Sequence, residues 1–251
     1  LSQQTALESI DFQSKVRRPH QLDIRDPQYP DRGRSADGKE LQAAYYAMIK
    51  LIDDQVGNII AALESDGVRG DTVIIFTSDH GEMLGDHGLI QKGCRFYEGL
   101  VRVPLIISWP EKFLTGARSD ALVELVDKAP TILDLAGIDV PNRMQGHSLL
   151  PMLCGEKPLN RHRNHVRCEY YDALDEPDGS FATMFRDERY KLVVYHGHGI
   201  GELYDLQEDP EEFENMWSEY EAQPLKLDLL RRSFDASMLA LDCGSERVGP
   251  M

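Results

Sequence analysis

Asp79 and His80 are adjacent residues that can each donate to a divalent cation, one through a carboxylate and one through an imidazole. They stand directly after the apolar run Val73-Ile74-Ile75-Phe76 and before Gly81 and Glu82. Lys92 follows twelve residues after His80, in a loop punctuated by Gly85, Gly88 and Gly93, where it offers a compact point charge for an anion. His87 and Arg95 lie in the same stretch and are candidates for substrate contact, with His87 also a candidate proton donor to a leaving group. Taken locally, the pattern leaves two readings open. Either a metal and anion site is built here, or Asp79 caps a helix and the histidines are solvated loop residues.

These side chains need a frame to hold them. A short apolar run bounded by turn residues reads as a buried strand, expected to be parallel, with the candidate site at its carboxyl end. Gly81 is expected to let the chain turn sharply there, so that Asp79, His80 and Lys92 border one concave pocket. Upstream, Tyr45, Met48, Ile49, Ile52, Val56, Ile59, Ile60 and Leu63 follow helical spacing from Glu40 to Leu63. Asp53 and Asp54 belong to the polar side of that helix. Downstream, Val101 to Trp109 predicts a second strand, residues 119–136 a helix with Pro130 as a kink or first turn, and Leu149–Leu153 a short helical piece.

After Arg163 the pattern changes. Val166–Tyr170, Phe181–Arg186, Tyr190–His196 and Glu202–Leu206 read as the short strands of a small antiparallel sheet. Asp209-Pro210-Glu211-Glu212 has the composition of a helix start, and a final helix is expected over Leu225–Leu239. His196 and His198 sit on a glycine turn and read as solvent-exposed. Two parts follow, residues 1–155 carrying the candidate site and residues 156–251 forming a smaller unit.

The motifs fall in an order that resembles a family. Thr77-Ser78-Asp79-His80-Gly81-Glu82, with Gly85-Asp86-His87-Gly88 and Lys92, is similar to the second metal-binding segment of the type I sulfatases, in the alkaline phosphatase superfamily. YYAMIKLIDDQVG (45–57), RVPLII (102–107), GHSLLPML (146–153) and GELYDLQEDP (201–210) resemble further family segments in family order. The resemblance implies an α/β fold: the C-terminal part of an alkaline phosphatase-like mixed sheet with flanking helices, followed by the small antiparallel sheet. It also implies a sulfuric-ester hydrolase, with Asp79 and His80 as one pair of metal ligands and Lys92 on the sulfate. Calcium is the ion the family implies, although an imidazole ligand leaves Mg2+, Mn2+ or Zn2+ open.

The family's nucleophile is a formylglycine made from a Cys-x-Pro/Ala-x-Arg segment, and an upstream aspartate pair completes its metal site. Neither pattern is present here; Cys243-Gly-Ser-Glu-Arg247 has the arginine but Ser245 at the third position. The chain is therefore expected to be the C-terminal half of such an enzyme and inactive alone, with the missing N-terminal half as its partner. A sulfate-ester small molecule or sulfated sugar is the expected substrate. A phosphodiesterase or phosphonate monoester hydrolase of the same superfamily, and a non-catalytic sulfatase-like binding protein, are the alternatives.

A net charge of −16 argues against nucleic acid or an anionic membrane as partner. Four cysteines without a C-x-x-C pattern fit neither a zinc site nor a disulfide framework and read as free thiols. No apolar run approaches a membrane span. Residues 1–38 are turn-rich and predict an irregular loop, with His20 as a surface histidine. Compartment is left undecided.

Overall fold

The computed structural model describes residues 38–89, 92–171 and 180–241. The expected N-terminal loop, His20 and the Cys243–Arg247 segment lie outside the described residues. The first helix, α1 (Gly38–Ser65), has the predicted span and ends where Asp66-Gly67 breaks the pattern. Tyr45, Val56, Ile60 and Leu63 are half-buried, whereas Met48, Ile49, Leu51, Ile52 and Ile59 are exposed.

Strand β1 (Ile74–Thr77) pairs with β2 (Leu105–Ser108) in a two-stranded sheet, from Ile74 opposite Ser108 to Thr77 opposite Leu105. The pairing is antiparallel, which corrects the expected parallel strand. The intervening loop leaves β1 at Thr77 and brings the chain back to the same end, so β2 runs the opposite way. All four β1 residues are half-buried, as befits a strand paired on one edge among the described residues. Glu98–Val101 forms one helical turn, α2, where the expected second strand was to begin.

Between Arg118 and Glu124 the chain is largely extended and makes a bridge from Leu122 to Arg163, so the predicted helix over 119–136 is shorter. It reduces to a 3-10 turn at Leu125–Asp127 and α3 (Lys128–Leu135), with Pro130 in the first turn where its missing N–H costs nothing. Gly137, at φ 68°, stops α3, and α4 (Leu150–Leu153) is the short piece expected there.

The second part is a four-stranded antiparallel meander of β3 (Val166–Tyr171), β4 (Phe181–Arg186), β5 (Tyr190–Tyr195) and β6 (Ile200–Asp205), in sequence order. Both of its faces are covered. Ala182, Met184, Val193 and Tyr195 pack on Cys94 and Phe96 of the site loop. Phe185, Leu192 and Leu203 face the opposite way, onto Leu229 and Ala236 of α5 (Gln223–Leu239). Period-two alternation therefore divides the sheet's side chains between the candidate site and the last helix.

The expected helix start at Asp209–Glu212 is a turn instead. Glu212 adopts φ 61° and is buried against Lys191, which removes it from any helical path. Asp209 still accepts a backbone N–H, from Glu214 at 2.7 Å, and so closes a loop rather than capping a helix.

Candidate active site

At the end of β1 the chain folds tightly on itself. Ser78 Oγ donates to the His80 carbonyl at 2.8 Å, and the His80 N–H donates to Asp79 Oδ1 at 2.9 Å. The Gly81 N–H donates to the Leu100 carbonyl at 2.8 Å, tying the turn to α2. Asp79 is thus a local turn acceptor, and its side chain remains 85% exposed. The backbone N–H of His80 holds the Asp79 carboxyl below its ordinary range, so it is ionised.

The His80 ring is oriented by its own chain. Nδ1 lies 2.7 Å from the Gly81 carbonyl, which can only accept, so the proton belongs on Nδ1 and the Nε2 lone pair is outward. Lys92 Nζ sits 2.7 Å from that Nε2, and Asp79 Oδ2 is 3.6 Å from it. The structure therefore brings Asp79, His80 and Lys92 together on one exposed surface. A carbonyl-oriented imidazole beside an ionised carboxylate is a chemically sound donor pair for a divalent cation. Among the described residues no group of three or more His, Cys, Asp or Glu could hold a metal ion; Asp79 and His80 are a pair of such donors.

His87 is elsewhere in its surroundings. It is buried, stacked on Tyr97 with ring centroids 3.9 Å apart, and tilted against Phe213 at 4.7 Å. Its φ of 55° follows that of Leu84 at 48°, two non-glycine residues in the left-handed region within four positions. With Asp86, Tyr97, Glu98, Glu211, Glu212 and Phe213 it borders a cavity of about 110 Å³. Arg95 is also turned inward and 4% exposed, and its Nη1 donates to the Lys92 carbonyl.

Two buried ionic clusters lie within the fold, the first against the Lys92–Glu98 segment, and neither was recognised from the sequence. Lys191, fully buried on β5, places its ammonium 2.6 Å from Glu98 Oε1, 2.6 Å from Glu212 Oε1 and 2.9 Å from the Phe96 carbonyl. It donates hydrogen bonds to the Phe96 carbonyl and Glu212 Oε1, and Glu98 Oε1 adds an ion-pair contact. Burial pushes Glu212 up despite Lys191; for Glu98, burial is outweighed by Lys191 and Arg186, and the carboxyl is held down. A lysine inside the apolar run Tyr190–Val194 was the available signal, since a charge buried there needs partners.

Asp127 is the second centre. It is fully buried and accepts from Arg163 Nε at 3.0 Å, Arg163 Nη2, the His147 N–H at 2.7 Å and the Glu124 N–H at 2.9 Å, with His162 Nε2 at 3.2 Å. Burial alone would raise its pKa, but these bonds hold the carboxyl well below the usual range. The Asp127–Arg163 pair joins the start of α3 to the segment leading into β3. Cys94, Cys154 and Cys168 are free thiols. No helix among the described residues is long and apolar enough to cross a membrane.

An α/β fold with an antiparallel second sheet, and a carboxylate–imidazole–ammonium cluster at a strand end, define the class with which the chain compares. The family model for the C-terminal region of N-sulphoglucosamine sulphohydrolase matches residues 85–237, and the sulfatase model matches residues 14–138. The chain belongs to the sulfatase family. It is 33% identical over 204 residues to arylsulfatase K of Xenopus laevis, covering 78% of this chain and 37% of that protein. A structure of BT4656 with its substrate D-glucosamine-2-N,6-O-disulfate superposes with TM-score 0.69 at 31% identity, covering 80% of this chain and 42% of that one. A phosphonate monoester hydrolase from Silicibacter pomeroyi superposes with TM-score 0.77 at 30% identity, covering 86% and 44%. The chain spans 34% to 39% of the length of its first relatives.

Proposed function

We propose that this chain is the C-terminal portion of a sulfuric-ester hydrolase, and that the convergence of Asp79, His80 and Lys92 is its contribution to the active site. The observation that carries the reading is Lys92 Nζ at 2.7 Å from His80 Nε2, twelve residues away in sequence. The Nε2 lone pair that receives the Lys92 ammonium here is the one a cation would take, so with the cation bound Lys92 would be released to a sulfate oxygen held beside it. Lys92 would bind that oxygen and stabilise the charge that grows on it as the ester bond breaks. Asp79 and His80 would hold a divalent cation, which supplies positive charge to polarise the ester. Calcium is the ion we propose first, because the family resemblance implies it; the mixed oxygen–nitrogen pair would also accept Mg2+, Mn2+ or Zn2+.

The exposed apolar face of α1, together with Ile106 of β2 at 60% exposure, fits a chain whose remaining portion covers these surfaces. That portion would bring the nucleophile and the other ligands. The substrate proposed is a sulfated sugar or another sulfate ester, by analogy with the sugar disulfate in the structurally similar complex. A phosphodiester or phosphonate monoester hydrolase is the second reading, favoured by the similarity to the Silicibacter enzyme.

Paired assays of the complete gene product on 4-nitrophenyl sulfate and on a phosphonate monoester test both. Turnover of the sulfate ester, with lower cation occupancy in His80→Ala and Asp79→Ala by elemental analysis, supports the first reading. Preference for the phosphonate supports the second. Metal-dependent turnover by the 251-residue chain alone would overturn the view that it is a portion of the enzyme.

A further inference from the structure

Lys92 has an exposed side chain, yet the backbone that carries it is held from beneath. Gly93, at φ 120°, turns the chain, and the next three residues alternate in direction. Cys94 and Phe96 are buried on the four-stranded sheet, packed with Ala182, Met184, Val193 and Tyr195. Arg95, between them, is also buried and donates from Nη1 to the Lys92 carbonyl. The Lys191 ammonium of β5 donates to the Phe96 carbonyl at 2.9 Å and pairs with Glu98 and Glu212, each at 2.6 Å. The Glu98 N–H in turn donates to Glu212 Oε2 at 2.7 Å. Every residue from Lys92 to Glu98 thus has a tie, with the Gly93 carbonyl accepting from the Arg95 N–H at 2.9 Å and Tyr97 stacked on His87.

We infer that Arg95 is a positioning residue for Lys92, and that through it and Lys191 the C-terminal sheet sets where the Lys92 ammonium stands. The inference rests on the reading of Lys92 as the sulfate contact. A lysine side chain has four rotatable bonds and no preferred direction of its own, so its placement depends on where its backbone is fixed. A guanidinium donating to the Lys92 carbonyl supplies that fixation at the residue itself. The planar fork suits the task, because one nitrogen can hold the carbonyl while the others face the interior. The face of the sheet that packs on Cys94 and Phe96 also carries Glu202 of β6, whose side chain accepts from Tyr195 Oη at 2.9 Å. The brace therefore runs from the buried Cys94–Phe96 segment, packed on the sheet, to the carbonyl of the residue proposed to touch sulfate. Arg95 itself, being buried, acts through Lys92 and not on the substrate.

A double-mutant cycle on the complete gene product tests this, with 4-nitrophenyl sulfate as the substrate. Lys92→Ala, Arg95→Met, Arg95→Lys and the two double variants are compared in kcat, KM and thermal midpoint. Misplacing a catalytic group by about 1 Å costs on the order of 10²-fold in rate, so Arg95→Met is expected to lower kcat by about that factor with KM little changed. Arg95→Lys, which retains a donor, is expected to recover part of the loss. In the Lys92→Ala background, both Arg95 substitutions are expected to change kcat by no more than a few-fold, since the group they position is gone.

Independent, multiplying losses in that background would overturn the inference while leaving Lys92 in its proposed role. An unchanged kcat in folded Arg95→Met would do the same. If Lys92→Ala itself leaves turnover intact, the reading of Lys92 falls and the positioning role falls with it. Where Arg95→Met does not fold, the Arg95→Lys arm of the cycle decides by the same criterion.

Discussion

Gly81 lies so close to Gly99 that a Cβ built on it would stand 1.9 Å from the Gly99 carbonyl oxygen. No side chain fits there, because the obstacle is backbone and not the flexible end of a side chain. Gly81 follows the two candidate cation donors, and its N–H is bonded to Leu100. Gly81→Ala is therefore expected to destabilise the fold by about 1–3 kcal/mol or more, through forced backbone displacement. Urea unfolding measures the loss, and an unchanged midpoint would show that the approach is not as close as described.

Lys92→Ala carries the most direct chemical prediction. In the complete gene product it is expected to lower kcat on a sulfate ester on the order of 10²–10³-fold, the usual effect of losing one preorganised charge contact. The thermal midpoint should hardly move, since the side chain is exposed. A normal kcat at full cation occupancy would remove Lys92 from the site.

Asp127 offers a test of the second buried cluster. Asp127→Ala leaves the Arg163 guanidinium with only Glu124, at 3.3 Å, as a carboxylate partner and releases the His147 and Glu124 N–H groups. Removing one partner of a buried pair costs about 3–5 kcal/mol. The same carboxyl, held below its ordinary pKa, contributes stability that is present above the unfolded value of 3.8 and is lost as pH falls below it. Acid unfolding that is unaffected by Asp127→Asn would contradict this.

Glu202 has the opposite sign. Burial pushes its carboxyl from the ordinary 4.5 to about 7, so the folded protein retains a proton that the unfolded chain releases. Its contribution is fully present below 4.5 and declines as pH rises to about 7, above which no further change comes from this group. Glu202→Gln keeps an acceptor for Tyr195 Oη and should flatten the fall in stability between those limits. Denaturation midpoints of wild type and variant measured at intervals across the window decide the matter; parallel curves would exclude Glu202 as the source.

Local pattern in the sequence was enough to find α1, the strand at Ile74–Thr77, the four strands of the second sheet and the last helix. Each has a run of apolar residues at the period of its own structure, bounded by glycine, proline or aspartate. Asp79, His80 and Lys92 were legible as candidates because their residue types and spacing lie within one short stretch, and resemblance supplied the family. Periodicity could not decide pairing partners. The orientation of β1 depends on where the chain returns, and the loop to β2 decides it as antiparallel.

Tertiary contacts also overrode local signals. Asp209-Pro210-Glu211-Glu212 has good helix-start composition, but the buried Lys191 takes Glu212 into a left-handed turn, where the ion pair outweighs helix propensity. Arg95 reads in sequence as a cation near an anion site, and only the sheet packed beneath it turns its guanidinium inward to the Lys92 carbonyl. Gly81 reads in sequence as the residue that permits a sharp turn, whereas the structure makes it a point of contact between two backbones. What a residue can do chemically is written in its type; which way it faces is set by residues as far as 114 positions away, because burial and pairing are properties of the folded chain.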